Sequence, residues 1–243
     1  MHRGLSQDQL AKELYTTRSA IDAWERQRNR PGADIMRQYD EYFETDQHFQ
    51  VMWFHGQREH LKEWLEEYLA LEREATCIKV FQPMSVPGLL QTEGYIRAGA
   101  GKVKDVEGLV MERLTRREVL EGEDPPILWV ILDEAAIRRP VGGPEVMKAQ
   151  LQHLLEMGDL PNITIQVVRE SSGAYVGMYG GLIILTMPDH RDVGYAEAQF
   201  GGRLIEDKDQ VVELRIRYDR IRAKALSDDD SRALIAQTME NLK

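Results

Sequence analysis

The sequence predicts an α+β chain: an all-α head over residues 1–45, a connector over 46–57, and a body over 58–243 mixing helices with about five strands. Three observations carry this. Apolar residues recur at three- and four-residue spacing through the first 45 positions, with no alternating run. From residue 77 onward, short apolar stretches bounded by Gly, Pro, Ser or Asp alternate with helix-period segments. From about residue 211 the chain returns to helical spacing alone.

In the head, Ser6 with Gln9 three residues on forms a capping box, opening a helix that carries Leu10, Ala11 and Leu14. A second helix opens at Thr17 and puts Ala20, Ile21 and Trp24 on one face. Pro31-Gly32 breaks it, after which Ile35, Met36, Tyr39 and Phe43 resume helical spacing. The connector is less periodic. Over residues 58–75 the chain reads as a helix, with Leu61, Trp64, Leu65, Tyr68 and Leu69 on one stripe and Glu, Lys and Arg on the opposite side.

In the body, residues 77–81 read as a strand, 83–87 as a loop, 93–99 as a short helix and 106–120 as a longer one. Pro125-Pro126 stops that helix before 127–132, a run apolar enough for a central strand. Pro144 suits the first turn of a helix, where its missing N–H costs little, and Met147, Leu151, Leu154 and Leu155 form that helix's buried side. Residues 163–168, 181–186 and 193–198 are the remaining strands. Val211, Leu214, Tyr218, Ile221 and Ala225 keep helical spacing, and Ser227 before three aspartates caps a final helix with acids at its positive end.

Composition excludes several classes. Hydrophobic residues at 42% and charged ones at 30% are those of an ordinary globular protein. No apolar run approaches the ~20 residues that span a bilayer, and Met1-His2-Arg3 leads into polar residues rather than a signal peptide. The single cysteine, Cys77, excludes an internal disulfide and a cysteine-based zinc site, so a cytoplasmic protein is expected. His48, His55 and His60 have no standard ligand spacing, and no metal or cofactor is expected. Neither a phosphate-binding loop nor a nucleophile elbow appears, so no enzyme is expected. The net charge of −10 is uneven: residues 1–31 hold six basic and four acidic groups, and the rest of the chain carries about −12. Only the head suits a phosphate backbone. The basic run Arg215, Arg217, Arg220, Arg222 and Lys224 is expected to be a solvated helix face.

The segment Gly4-Leu5-Ser6-Gln7-Asp8-Gln9-Leu10-Ala11-Lys12-Glu13-Leu14, followed by Thr17-Arg18-Ser19-Ala20-Ile21 and Trp24-Glu25-Arg26, resembles the repressor-type helix-turn-helix of the xenobiotic-response-element family. Leu10, Leu14, Ile21 and Trp24 must meet in a small core so that the polar residues between them face outward together. The resemblance implies DNA contacts from Thr17, Arg18, Ser19 and Asp22 on the groove-facing surface, from Gln7 at a helix N-terminus, and from Arg26. Two departures stand out: Tyr15 replaces the turn glycine, and Asp22 adds an anion where DNA is anionic. Heads of this family begin with a full amphipathic helix before this segment; here only three residues precede Gly4, so that helix is expected to be missing and the head marginally folded or completed from outside.

A second resemblance covers nearly all of residues 60–243. It rests on Val86-Pro87-Gly88-Leu89-Leu90-Gln91-Thr92-Glu93-Gly94-Tyr95, then Arg113, Arg116-Arg117, Leu132-Asp133-Glu134-Ala135-Ala136, Arg138, Val141-Gly142-Gly143-Pro144, Gln150-Leu151, Tyr195-Ala196-Glu197, Ala225-Leu226-Ser227 and Ser231. This pattern is similar to the C-terminal domain of the actinobacterial WhiJ-like regulators, also called Scr-type antitoxin-like regulators. It implies transcriptional regulation with a body responsive to a metabolite or to a small partner protein, often encoded nearby, and a dimer binding operator DNA is expected because helix-turn-helix heads read paired half-sites. Gln91, Thr92, Tyr95, Asp133, Glu134, Arg138 and Glu197 are its candidate ligand- or partner-binding residues. Bland readings stand beside these. Pro87-Gly88 can be a turn delivering Leu89 and Leu90 to the core, and Asp133 and Glu134 can cap the following helix or pair with Arg138 and Arg139. The alternative function is an interaction module that binds its partner without reading DNA; a pocket enzyme is the third.

Overall fold

The computed structural model describes residues 5–26, 28–29, 31–45, 48–50, 65–196 and 202–242. The chain divides into two units, Met1–Glu63 and Trp64–Lys243.

The first unit is helical. Helix α1 (Gln7–Glu13) starts at the expected capping box, with the Ser6 hydroxyl accepting from the Gln9 N–H and the Gln9 side chain accepting from the Ser6 N–H. Tyr15 adopts φ +46° in the turn where glycine is the usual residue, and its ring is exposed. Thr17 caps α2 (Arg18–Glu25), and α3 (Ala33–Phe43) follows the Pro31-Gly32 break. Ala11, Leu14 and Ile21 are buried, with Leu10, Trp24, Tyr39 and Tyr42 packed around them. That is the small core expected from the spacing, enlarged by two tyrosines of α3. Asp40 is a buried carboxylate that the sequence pattern did not single out. It accepts from the Thr45 hydroxyl and the backbone N–H groups of Phe49 and Gln50, tying the end of α3 to the helical residues 48–50. These lie within the predicted connector, whose positions 46–47 and 51–57 lie outside the described residues.

The second unit is built on one mixed sheet. Its first described helix, α4, covers residues 65–74; Leu61 and Trp64 of the expected stripe lie outside the described residues. The strands are β1 (Cys77–Gln82), β2 (Ile127–Asp133), β3 (Ile163–Val168), β4 (Leu182–Thr186), β5 (Asp192–Ala196) and β6 (Arg203–Ile205), in the order β3-β2-β1-β4-β5-β6. β1, β2 and β3 run parallel, with Ile78 opposite Leu128 and Val130 opposite Ile165; β4, β5 and β6 extend the sheet antiparallel. Parallel neighbours need crossovers long enough for helices. These are α5 (Glu93–Gly99) and α6 (Val106–Arg117) between β1 and β2, then α7 (Glu134–Arg138) and α8 (Pro144–Met157) between β2 and β3.

Strand alternation sorts the core. Ile78 and Val80, Leu128, Val130 and Leu132, and Ile163, Ile165 and Val167 face a large core shared with α8 and α10 (Asp228–Glu240). Phe81, Ile131, Leu182 and Ile184 face the opposite side, under Tyr218 and Ile221 of α9 (Lys208–Arg222). The edge at β3 is covered rather than left open to strand addition. Ala225 bridges Val168, the Leu226 N–H donates to the Val167 carbonyl, and the Ser231 hydroxyl accepts from the Val167 N–H.

The architecture is thus α+β, with six strands among the described residues where about five were expected. The sixth, β6, has three residues and only partial burial, too short to show alternation in the sequence. The basic run on α9 is solvated as expected, with Arg215, Arg220, Arg222 and Lys224 exposed, although Arg222 also stacks 4.2 Å from the Trp129 ring centroid and Arg215 pairs with Asp192 at 3.2 Å.

Candidate functional site

In the head, the start of α2 presents the expected polar surface. Thr17, Arg18 and Ser19 are all exposed. The Thr17 hydroxyl accepts from the Ala20 N–H at 3.2 Å and lies 3.0 Å from the Ser19 hydroxyl, so the helix N-terminus is capped and ordered. Arg18 sits 3.6 Å from Asp8 with both side chains about two-thirds exposed; such a contact is weak and easily exchanged. Gln7 is half-buried and donates through Nε2 to Glu25 at 2.7 Å, bracing α1 against α2. Asp22 pairs with Arg26 at 2.7 Å and with Arg28. One carboxylate lies between two guanidiniums, so the anion that looked out of place on a DNA-facing surface is neutralised locally.

In the body, the segment 86–95 is pinned through its polar groups. Gln91 is buried; its Nε2 donates to the Val86 carbonyl at 2.6 Å and its Oε1 accepts from Arg113. Thr92 caps α5, and its N–H donates to Gln150 Oε1 at 2.8 Å, while Gln150 Nε2 donates to the Leu90 carbonyl at 2.7 Å. Tyr95 is buried, its hydroxyl accepting from the Val86 N–H at 3.3 Å. Leu89 and Leu90 are buried in the large core, so this is a turn that delivers leucines, and it also forms the wall of a cavity.

Asp133, Glu134 and Arg138 come together one turn apart. Asp133 caps α7 by accepting from the Ala135 N–H and also accepts from the Tyr175 hydroxyl at 2.6 Å. Burial, then the Asp133 charge and hydrogen bond, push the Tyr175 phenol above its ordinary range. Glu134 binds Arg138 at 2.7 Å and accepts from the Glu170 N–H at 2.8 Å. Burial would raise the Glu134 carboxyl; the Glu170 N–H and Arg138 outweigh it and hold it below the usual carboxylate range. The cap and the ion pair are both present. Glu197 lies outside the described residues.

A cavity of about 180 Å³ opens where β1 ends, between α4, α6 and the 85–91 segment. Glu72 of α4 is 2% exposed and takes Arg116 of α6 in a two-point pair, at 2.9 Å from Nε and 3.0 Å from Nη2. The Tyr68 hydroxyl donates to Glu72 at 2.5 Å, and the Tyr68 ring stacks on Tyr195 of β5 with centroids 4.4 Å apart. Burial works against the Arg116 charge, but the hydrogen bonds and attraction of Glu72 exceed it and push the guanidinium pKa upward. Gln82, Gln91 and Arg113 complete the polar lining. A second cavity, about 230 Å³, shares Gln91 and Arg113 and adds Tyr95 and Arg139.

Of the expected body residues, the structure brings Gln91 to the first cavity and Gln91 with Tyr95 to the second; Thr92 serves the turn. Glu72 was missed because its stretch reads as a charged solvent face. The correction is physical: Leu65, Tyr68, Leu69 and Glu72 are three and four residues apart, so Glu72 lies on the apolar stripe itself. Arg113, Arg116 and Gln150 stand in the resembling pattern but carried no chemical signal of their own.

Comparison with known families agrees with this division. Residues 1–46 match the family described as helix-turn-helix, and residues 65–237, well over half the chain, match the family described as a domain of unknown function, DUF5753. No curated protein matches the chain. Among the described residues no helix is long and apolar enough to cross a membrane. The helix-turn-helix family is one of DNA-binding regulators rather than enzymes. The chain belongs to the DUF5753 family and carries a helix-turn-helix DNA-binding domain at its head, as a DNA-binding regulator does.

Proposed function

We propose that this DNA-binding regulator is a transcriptional regulator of the antitoxin-like type, acting in the cytoplasm as a homodimer. Thr17, Arg18 and Ser19 contact operator DNA, and Gln7, Asp22 and Arg26 brace or flank them. The body binds a small partner protein or a metabolite through Gln91, Thr92 and Tyr95 and, further along, Asp133, Glu134, Arg138 and Glu197. The observation that carries the DNA reading is the exposed, capped start of α2, with Arg18 held only loosely by Asp8. A recognition helix meets base edges with its N-terminal residues, and two heads would read two half-sites one helical turn apart. The acidic remainder of the chain favours a basic or mixed-charge partner surface.

Footprinting tests the head: Arg18→Ala is expected to lose about 1–3 kcal/mol of binding if Arg18 pairs with a base. Equal protection by parent and variant overturns the assignment. A pull-down from the native host, scored for a small protein and for a DNA fragment, tests the two functions together. Recovery of the protein without DNA would make the chain an interaction module instead.

A further inference from the structure

Helix α9 has an inner and an outer face. Val211, Leu214, Tyr218 and Ile221, at helical spacing, form the inner one. A helix covered on one side is expected to turn polar residues to solvent on the other. Val212 and Ile216 stand there among the charges, one turn apart and each about half exposed. The turn Val176–Tyr179 adds to the same surface. Val176 packs inward with Tyr175, whose ring meets Phe81 edge-on with centroids 6.1 Å apart and whose hydroxyl donates to Asp133 at 2.6 Å. A Cβ at Gly177 would lie 2.6 Å from Phe81 Cζ, so glycine is what lets the turn close on that ring. With the turn anchored in this way, Met178 is 70% and Tyr179 86% exposed. Tyr179 lines a shallow groove with Ile216, Arg217 and Arg220. Tyr, Met and Arg are enriched at protein interfaces, and a contiguous exposed apolar patch rimmed by charge marks an interaction site.

The charges on the outer face indicate the partner. At ~3.6 residues per turn, Asp209, Glu213, Arg220 and Lys224 fall on one side of that face, the acids before Ile216 and the bases after it. Lys208 and Asp219 fall on the other side. Glu213 also holds Arg217 at 2.5 Å in an exposed pair, which is weak and exchangeable. A wholly acidic or wholly basic partner would meet a like-charged end of this face. A second α9 laid antiparallel about a two-fold axis at Ile216 keeps like sides together and reverses their order. Glu213 of each copy then faces Arg220 of the other, and Asp209 faces Lys224. Such a surface is self-complementary, as a closed two-fold dimer requires.

We propose that the body dimerises through this face, two α9 helices packing antiparallel at Ile216 with Val212, Met178 and Tyr179 closing around them. The proposal rests on the reading of the chain as a homodimer and says where that dimer forms.

The test is sedimentation of the full chain without DNA from about 1 to 100 µM, a range in which a moderate association is concentration-dependent. The parent is expected to sediment as a dimer. Ile216→Glu sets two carboxylates face to face at the two-fold axis and is expected to raise the dissociation constant roughly hundredfold or more. Tyr179→Ser removes the projecting ring and should raise it roughly tenfold. Both side chains face solvent in the single chain, so each variant should keep the parent's circular dichroism spectrum. Arg220→Glu should weaken the dimer, and adding Glu213→Arg should restore it, because both copies then carry the exchanged pair. A role confined to one chain does not predict that recovery. A parent dimer that survives both Ile216→Glu and Tyr179→Ser overturns the proposal and leaves the homodimer standing. A parent that stays monomeric across the range overturns both. No recovery in the double swap overturns the antiparallel arrangement.

Discussion

Replacing Gln150 with Met tests whether α8 holds the cavity wall in place. Gln150 is 0% exposed, and its amide bonds the Leu90 carbonyl at 2.7 Å, the Thr92 N–H at 2.8 Å and the Thr92 hydroxyl at 3.2 Å. Met is unbranched, similar in size and a comparable helix former, so neither a cavity nor a propensity change confuses the result. What remains is two backbone groups deprived of their partner, at about 1–3 kcal/mol each. The expected loss is therefore about 2–6 kcal/mol. For a unit of this size that is a fall of roughly 4–24 °C in melting temperature. Urea unfolding followed by circular dichroism gives the free energy directly. A loss below about 1 kcal/mol would mean that the 86–92 segment re-forms its bonds elsewhere, and the argument that α8 fixes the cavity wall would fail.

Three further outcomes follow from local geometry. Tyr15→Gly relieves a left-handed residue and should stabilise the head by about 1 kcal/mol, a gain that denaturation of the head's helices would detect and whose absence would mean the turn is unstrained. Asp40 has a carboxyl held down at about 2: burial would raise it, but the N–H groups of Phe49 and Gln50 and the Thr45 hydroxyl prevail. A depressed carboxylate stabilises the folded state above its unfolded pKa of about 4 and loses that contribution as the pH falls toward about 2. Head helicity should decline through that window, and Asp40→Asn should flatten the decline; an identical acid profile would contradict this. Gly142 has φ +71°, and a Cβ there would lie 2.7 Å from the Ala98 Cβ, so Gly142→Ala should cost about 1–3 kcal/mol in a thermal melt, with an unchanged melt contradicting the clash.

The legible parts of the fold were those governed by local chemistry. Ser6 with Gln9, Thr17, Pro144 and Ser227 marked helix starts because capping is decided within a few residues. The run at 127–132 was readable as a central strand because both its faces are covered. β6 was not, since its three residues gain their place only by pairing with β5. The site was less legible for the same reason. Gln91 bonds Arg113 across 22 residues, Glu72 bonds Arg116 across 44, and Thr92 bonds Gln150 across 58. A polar residue's partner at that separation is set by the assembled sheet and helices. The Asp133–Glu134 pair was readable in both its alternatives, because the cap and the i,i+4 ion pair are local, whereas the bonds from Tyr175 and from the Glu170 N–H are not.

The most direct test of the account is the salt dependence of DNA binding by the full chain, measured by fluorescence anisotropy on duplex DNA from upstream of its own gene. Each phosphate neutralised contributes about −0.9 to the slope of log affinity against log salt, and a pair of heads with exposed arginines should give a slope of about −2 or steeper. Arg18→Ala should weaken binding by roughly tenfold or more at one salt concentration while the body's melting temperature stays unchanged. Binding that ignores salt, or an Arg18→Ala variant that binds as tightly as the parent, would contradict the claim that the head reads DNA through the start of α2.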